Sequence, residues 1–505
     1  MSLLRGVTTL PTSAFVRVAA MTLLAAAGTA WGQAAPTPEA PPTPVTQAPA
    51  MPMADGPAAA HEQFKRLLDA GDFAAAAVQA RKIVELTERE GPAHSDELQV
   101  ALMNLALAEH RAGEYVAAEA SFLRVIELIE GSGRLTSPRL ARAHAGLAST
   151  YHAARRYDLA AAEFEIAIAL NRRNEGLFNE AQLPLLERQV DSLTELGRFD
   201  EALRARRYAL QVVGRRHGER SVPYARELES LGRWYTRVGS YEASRSTLRK
   251  SVELFAALSG PSSTDLVGPL TALGENARRW LQDPQFLAAA AAGPERGVLF
   301  QDSPMPAPPT LSPSTVASEG QKALEAAASI ADGSPDAPPA LVAGVRAQLG
   351  DWYVVRGQPG KAMPHYQQAW QAAGAASDGE ALRQSLFGAP QLLEYQAPSN
   401  WNRYAQRPPD EVEIRHVELE LTVTAQGGVR EPRAVGGTDE QRLVAQALRA
   451  VQSASYRPRL VAGEPAETTG LSFTQPFYVL RETEPASSPP AESAPPAPPP
   501  AQGGG

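Results

Sequence analysis

The chain has 505 residues and a mass of 53.8 kDa, about three domains' worth. Hydrophobic residues make up 44% and aromatics 6%, so its core is built largely from small side chains. A formal net charge of -8 and a pI near 5.7 argue against nucleic-acid binding, which needs a basic surface to displace counterions from phosphates. The absence of cysteine excludes disulfides, thiolate metal sites, cysteine nucleophiles and a lipidated N-terminal cysteine.

Residues 1–34 read as a secretory signal peptide. Arg5 and Arg17 precede or open an apolar run at 18–30, and Gly32, Ala34 and Ala35 offer a cleavage site after Ala34. That run is shorter than the ~20 residues a membrane span needs, so no stable span is expected after cleavage. Proline-rich stretches punctuate the rest: a linker at 35–58, an insertion at 294–315 and a tail at 481–505. Such compositions favour extended, solvated chain over a packed core.

Between residues 60 and 290 the chain repeats itself. The turn signals Gly71-Asp72-Phe73, Gly113-Glu114-Tyr115, Arg155-Arg156-Tyr157, Gly197-Arg198-Phe199 and Gly239-Ser240-Tyr241 recur every 42 residues. A helical pattern precedes and follows each turn. Three positions past each aromatic stands a small residue: Ala76, Ala118, Ala160, Ala202 and Ser244. Seven further on lie Ile83, Val125, Ala167, Ala209 and Ser251. Two antiparallel helices approach closely only where small side chains cross, and one such pair cannot cover its own apolar face. Neighbours must therefore stack into a solenoid.

These residues resemble the tetratricopeptide repeat family. Leu231-Gly232, Tyr235, Gly239, Tyr241 and Ser244 follow its pattern with one small-for-alanine change. Leu105-Ala106, Gly113, Tyr115, Ala118 and Phe122 do so again, as do Leu147-Ala148, Tyr151, Tyr157, Ala160, Phe164 and Ala167. The 42-residue period and Met103-Asn104-Leu105-Ala106 are similar to the kinesin light chain type of repeat. The array is expected over 59–293, with a sixth unit beginning at Leu273-Gly274 and degenerating after Phe286. A further repeat (Leu349-Gly350, Tyr353, Gly357, Ala362, Tyr366, Ala369) falls within helices at 316–380, out of register with the rest, and a linker follows at 381–410.

From residue 411 the period changes to two. Val417, Leu419, Leu421 and Val423 alternate with Glu418, Glu420 and Thr422 as in a half-buried strand. Gln426-Gly427-Gly428 signals a hairpin, 439–453 reads as a helix with Leu443, Val444, Ala447, Leu448 and Val451 on one face, and a last strand carries Leu471 and Phe473. This strand-strand-helix-strand order, with Gly427-Gly428-Val429, Tyr456-Arg457-Pro458 and Gly463-Glu464-Pro465, resembles the C-terminal domain of the TonB family over 411–480. The fold class is thus mainly α: a tetratricopeptide helical-hairpin solenoid followed by a small α+β (ββαβ) domain. An energy-transducing role does not follow, because 18–30 lacks the length and the histidine of a transducer's membrane helix.

No phosphate loop, nucleophile elbow or His-Glu-x-x-His helix is present, and no catalytic, cofactor or metal residue is nominated. His144 and His152 lie eight apart without a third ligand, too little for a metal site. In tetratricopeptide solenoids the first helices line a concave, ligand-binding side. Carried onto this chain, that stripe comprises Met103, Leu107, His110 and Arg111, then Arg142, Ser149 and His152. Glu187 and Asp191 continue it, followed by Arg226, Arg233, Arg237, Arg278 and Arg279, an alternation of charge suited to an extended, mixed or acidic peptide. The expectation is a non-enzymatic periplasmic scaffold or adaptor, binding protein or peptide partners of the cell envelope and no nucleic acid. The alternatives are an accessory to TonB-type outer-membrane transport, or a cell-wall enzyme outside known motifs.

Overall fold

The computed structural model describes residues 57–91, 95–292, 311–405, 407–408 and 410–481. The expected signal peptide and most of the three proline-rich stretches lie outside the described residues. Two compact parts are formed, residues 57–353 with 361–386, and residues 354–360 with 387–481.

The first part is an array of helical hairpins. Unit one pairs α1 (Pro57–Asp69) with α2 (Phe73–Arg89), and unit two α3 (Ser95–Arg111) with α4 (Tyr115–Gly131). Unit three pairs α5 (Pro138–Ala153) with α6 (Tyr157–Glu175), unit four α7 (Leu183–Glu195) with α8 (Phe199–His217), and unit five α9 (Val222–Arg237) with α10 (Tyr241–Ser259). The repeated turn has one physical cause. Asp72, Glu114, Arg156, Arg198 and Ser240 each donate a backbone N–H to the carbonyl five residues back, at 2.8–2.9 Å, which satisfies an orphan carbonyl of the first helix. That closure needs a left-handed residue just before the donor. Gly71, Gly113, Gly197 and Gly239 supply it at φ 71–80°, whereas unit three uses Arg155 at φ 60°.

Ala76, Ala118, Ala160, Ala202 and Ser244 are fully buried where each pair crosses. On the facing helix the space is as tight: a Cβ on Gly232 would stand 2.5 Å from Leu248. Between units, the first helices are joined by a polar ladder whose partners are always 40 residues apart. His110 Nδ1 meets Thr150 Oγ1 at 3.1 Å, His152 Nδ1 meets Ser192 Oγ at 2.9 Å, Trp234 Nε1 donates to Thr194 Oγ1 at 2.9 Å, and Thr236 Oγ1 donates to Asn276 Oδ1 at 3.1 Å. Thr150 and Ser192 spend their own hydroxyl protons on the carbonyls of Gly146 and Arg188, so both imidazoles donate through Nδ1.

The sixth unit corrects the sequence reading. Its first helix is α11 (Val267–Leu281), and the short α12 (Pro284–Ala292) follows, with Phe286 packed 5.1 Å from Trp280. The second helix of the unit is α13 (Pro313–Gly333). Gly232 faces Leu248 and Gly350 faces Tyr366, each 16 residues on, but Gly274 faces Leu324, 50 residues on. The unit is therefore not a degenerate end; it is completed across a 34-residue insertion, the excess of 50 over 16. α13 starts at Pro313 behind the N-cap Ser312, so the insertion stops short of the expected 315. Unit seven, α14 (Pro339–Val355) with α15 (Pro359–Gly374), continues the array: Gly320 on α13 meets the Trp352 ring, and Glu325 accepts from Tyr353 at 3.0 Å. The helix α16 (Gly379–Phe387) follows.

The second part is built on a three-stranded antiparallel sheet of order β3-β2-β7. β2 is Val412–Val423, β3 Val429–Gly437 and β7 Thr468–Leu480, with α17 (Gln441–Gln452) between β3 and β7 in the chain. Val417, Leu419, Leu421 and Val423 are buried, as the alternation requires, beneath Leu443, Ala447 and Val451 of α17. Four short strands escape the sequence reading: β1 (Gln391–Glu394), which pairs with β4 (Ser455–Arg457), and β5 (Arg459–Val461), which pairs with β6 (Glu464–Ala466). The stretch 381–410, expected as a linker, thus supplies a strand to this part. It also supplies the buried Trp401, whose carbonyl accepts from Tyr478 N–H at 2.8 Å.

Candidate functional site

α3 crosses the array with Gln99, Val100, Met103, Asn104, Leu107, His110 and Arg111 on one stripe, at three- and four-residue spacings. α5 lies beside it and adds Arg139, Arg142, Ala145, Gly146 and Ser149; α7 adds Arg188, and Phe73 opens α2 at the rim. Together they enclose a cavity of about 790 Å³ whose floor reaches Val125 and Ile129 of α4. Its apolar wall is solvent-facing, with Val100 and Leu107 44% and 45% exposed. Among the described residues, four arginines line it and no carboxylate does.

The arginines are not equally engaged. Arg139 reaches Gln99 at 3.5 Å and Asp96 at 3.9 Å, and Arg111 lies over the Phe73 ring at 5.3 Å. Arg142 and Arg188 are exposed and form no ion pair among the described residues. The excess charge is felt by His110. Burial, then Arg188, then Arg111 hold its pKa below the usual imidazole value, so the ring is neutral at pH 7.

Six of the fourteen sequence-derived groove residues meet in this cavity: Met103, Leu107, His110, Arg111, Arg142 and Ser149. The other eight lie elsewhere. His152 belongs to the inter-unit ladder through Ser192. Asp191 and Arg237 bind one another at 2.7 Å, Arg226 binds Asp265 at 3.3 Å, and Arg279 binds Glu275 at 2.8 Å. Arg233 holds Glu229 at 2.8 Å and the Gly268 carbonyl at 2.9 Å. Arg278 lines a separate cavity of about 200 Å³ with Gln348 and Asp351. The expected blocks of alternating charge are thus largely cross-neutralised in units four to six.

Glu187 faces a different environment. Its carboxylate stands 4.0 Å from Arg206, which is buried, donates to Ser230 Oγ at 2.9 Å and leaves Nε without a partner. Nearby Glu227 also has a buried oxygen without a partner, and desolvation raises its pKa to about 7 against the pull of Arg206. Sequence reasoning missed Arg188, Arg139, Asn104 and Phe73 at the main cavity. Arg188 escaped because the stripe was followed through Glu187 and Asp191. His144 and His152 are not a pair: His144 binds Glu163 at 2.6 Å, His152 binds Ser192, and no group of three His, Asp or Glu among the described residues is placed to hold a metal.

Residues 416–477 match the Gram-negative bacterial TonB protein C-terminal family. No curated protein matches the chain significantly. Among solved structures, a kinesin light chain of Podosopora anserina with nearly identical TPR-like repeats is 15% identical, covering 41% of this chain and 98% of that one at a TM-score of 0.36. BtubC from P. vanneervenii is 16% identical, covering 59% and 90% at 0.30. The apo quorum sensor NprR from B. thuringiensis is 13% identical, covering 62% and 86% at 0.31. The chain joins a tetratricopeptide-type array to a TonB C-terminal-like module, and the hairpins themselves carry the first half of that statement.

Proposed function

We propose that this chain is a non-enzymatic scaffold of the Gram-negative envelope, exported by residues 1–34, whose array holds one partner and whose 412–480 module binds another. The partner of the array is an extended acidic segment carrying an apolar side chain. One observation carries the reading: a cavity lined by four arginines and no carboxylate, over an apolar wall exposed to solvent. Guanidinium groups form strong charge-assisted bonds to carboxylates. An apolar side chain seated on Val100, Met103 and Leu107 would add burial to that attraction. The envelope location rests on the signal-like segment and on the match at 416–477.

The test is capture from a cell-envelope extract on the full chain and on a variant carrying Arg142→Glu and Arg188→Glu. The expected result is a partner retained by the first, lost by the second and eluted by a glutamate-rich peptide. Identical captured sets from the two baits would overturn it. The match at 416–477 favours a second reading, an accessory of TonB-type outer-membrane transport. In that case the captured set contains a transporter that survives the arginine reversals and vanishes when the module is deleted.

A further inference from the structure

His110 and His152 hold the same post in successive units. Each lies near the end of the first helix of its hairpin and donates through Nδ1 to a hydroxyl 40 residues on, Thr150 and Ser192 respectively. Their surroundings differ. His152 has two carboxylates near it, Asp191 and Glu195, besides Arg188. His110 lines the array's cavity, and the charges acting on its ring, Arg188 and Arg111, are both positive.

The groups around His110 come from every element packed about it. α3 itself contributes Arg111, whose guanidinium lies over the Phe73 ring of α2. α4 brings the Tyr115 ring at 6.0 Å, α5 brings Thr150 and, in the same cavity, Arg142, and α7 brings Arg188. The acids closest to it in the chain, Glu109 and Glu114, are engaged by Arg81 at 2.8 and 4.0 Å, and neither lines the cavity.

Geometry leaves one place for a proton. Nδ1 already carries hydrogen, because Thr150 spends its own on the Gly146 carbonyl at 2.9 Å. Nε2 has no hydrogen-bond partner among the described residues, so a proton added to the half-buried ring goes there. It would add a further cation to a cavity that holds four arginines and, among the described residues, no carboxylate. Burial, Arg188 and Arg111 accordingly keep the His110 pKa below the ordinary imidazole value while the cavity holds no anion. A carboxylate in the cavity reverses that balance. It accepts from Nε2–H and offsets the guanidiniums, so the ring holds its proton more tightly. By linkage, the proton strengthens binding of the carboxylate by the same factor.

We propose that His110 makes the array's hold on its acidic partner proton-coupled: the segment binds with uptake of up to one proton at Nε2, tightens as pH falls below neutral and is released as pH rises. The proposal rests on the acidic-partner reading of the cavity and adds its regulation. Coupling is confined to the window between the pKa of the free ring and the higher one of the complexed ring. Above that window neither state holds the proton, and below it both do.

The test is titration calorimetry on the full chain with an acetylated, histidine-free peptide of glutamates around one leucine, whose carboxyls titrate near pH ~4.3 and stay ionised. Binding is measured at about pH 5.5, 6.5 and 7.5 and constant ionic strength, in two buffers of different ionisation enthalpy, which report proton uptake. The expected result is affinity about fivefold higher at the lowest pH than at the highest, with net uptake at the middle one; a single proton sets a ceiling of about tenfold per pH unit. His110→Asn keeps an amide donor for Thr150 but takes up no proton, and is expected to bind equally at all three values. His152→Asn makes the same change on the next rung and is expected to keep the native pH dependence, which separates a purely structural role from the coupling. Proton uptake is read on the native chain, so it decides the coupling even where a variant fails to fold. A peptide that binds equally at the lowest and highest pH without uptake would overturn the coupling and leave the acidic partner standing. Uptake that survives His110→Asn, or that disappears in His152→Asn, would also overturn it. No binding at any pH would overturn the acidic-partner reading and the coupling together.

Discussion

The first helices of units two to four and those of units five and six both carry arginines, yet Arg142 and Arg188 of the first group form no ion pair among the described residues. Arg142 and Arg188 look onto an apolar wall, whereas Arg226, Arg233, Arg237 and Arg279 each have a carboxylate within 3.3 Å. The difference lies in the neighbours. Where the same helix offers Glu229 or Glu275, or the adjoining turn or helix offers Asp191 or Asp265, the guanidinium is spent inside the array; where α3 offers Val100, Met103 and Leu107, it is not. Count of charge along a repeat is therefore a poor guide to a binding face, and the pairing of each charge, within its own helix or with a neighbouring unit, is a better one.

The widest separation between the two halves is expected in binding. Arg142→Glu with Arg188→Glu should weaken an acidic peptide on the order of 100-fold, about 3 kcal/mol, as two charge-assisted bonds become repulsions. Titration calorimetry reads this, and an unchanged affinity would erase the distinction between the halves. The boundary between them is tested by Glu227→Gln. Glu227 has its pKa raised from 4.5 to about 7, so the folded state holds its proton more tightly than the unfolded chain and stability falls as pH rises through that window. The variant should be more stable by roughly 2–3 kcal/mol at pH 8 and no more stable below pH 4.5. Denaturant unfolding at the two pH values measures it, and a pH-independent difference would show that the carboxyl is not held neutral by burial.

Arg237→Ala, in the paired half, should cost less than about 1 kcal/mol of stability because the pair is half-exposed, and should leave peptide affinity unchanged. A loss of affinity would extend the binding face into units four to six. The smallest effect concerns the turn. Arg155→Gly relieves a left-handed residue at φ 60° and should raise stability by about 0.5–1 kcal/mol, seen as a higher melting temperature. A fall would mean that the Arg155 side chain contributes more than its backbone conformation costs.

Much of the fold was legible because it is periodic. The turn spacing, the fully buried Ala76 to Ser244 series and the buried alternation of β2 each follow from a repeat that sequence displays. What escaped was aperiodic. The partner of Gly274 lies 50 residues on, and nothing local marks Leu324 as its counterpart until Gly350 and Tyr366 are seen to restore the usual spacing. Strands of three or four residues such as β1 and β4 are too short for a period of two to register. At the site, a helical stripe identified Met103, Leu107, His110 and Arg111 correctly as neighbours. It could not tell a free arginine from a paired one where the partner is remote, as for Arg226 and Arg237, whose carboxylates Asp265 and Asp191 lie 39 and 46 residues away.

The displaced second helix of unit six has a consequence for how the chain can be altered. Hairpin closure there depends on α13 docking against α11 and not on a short turn, so the array's continuity is separated from the continuity of the chain. Lengthening a connection that does not itself close a hairpin is cheap, about 0.6 kcal/mol for each doubling. This one position is therefore where an additional folded domain, a label or a cleavage site enters with least disturbance to the seven units. Every other hairpin in the array is shut by a turn of a few residues and has no such tolerance.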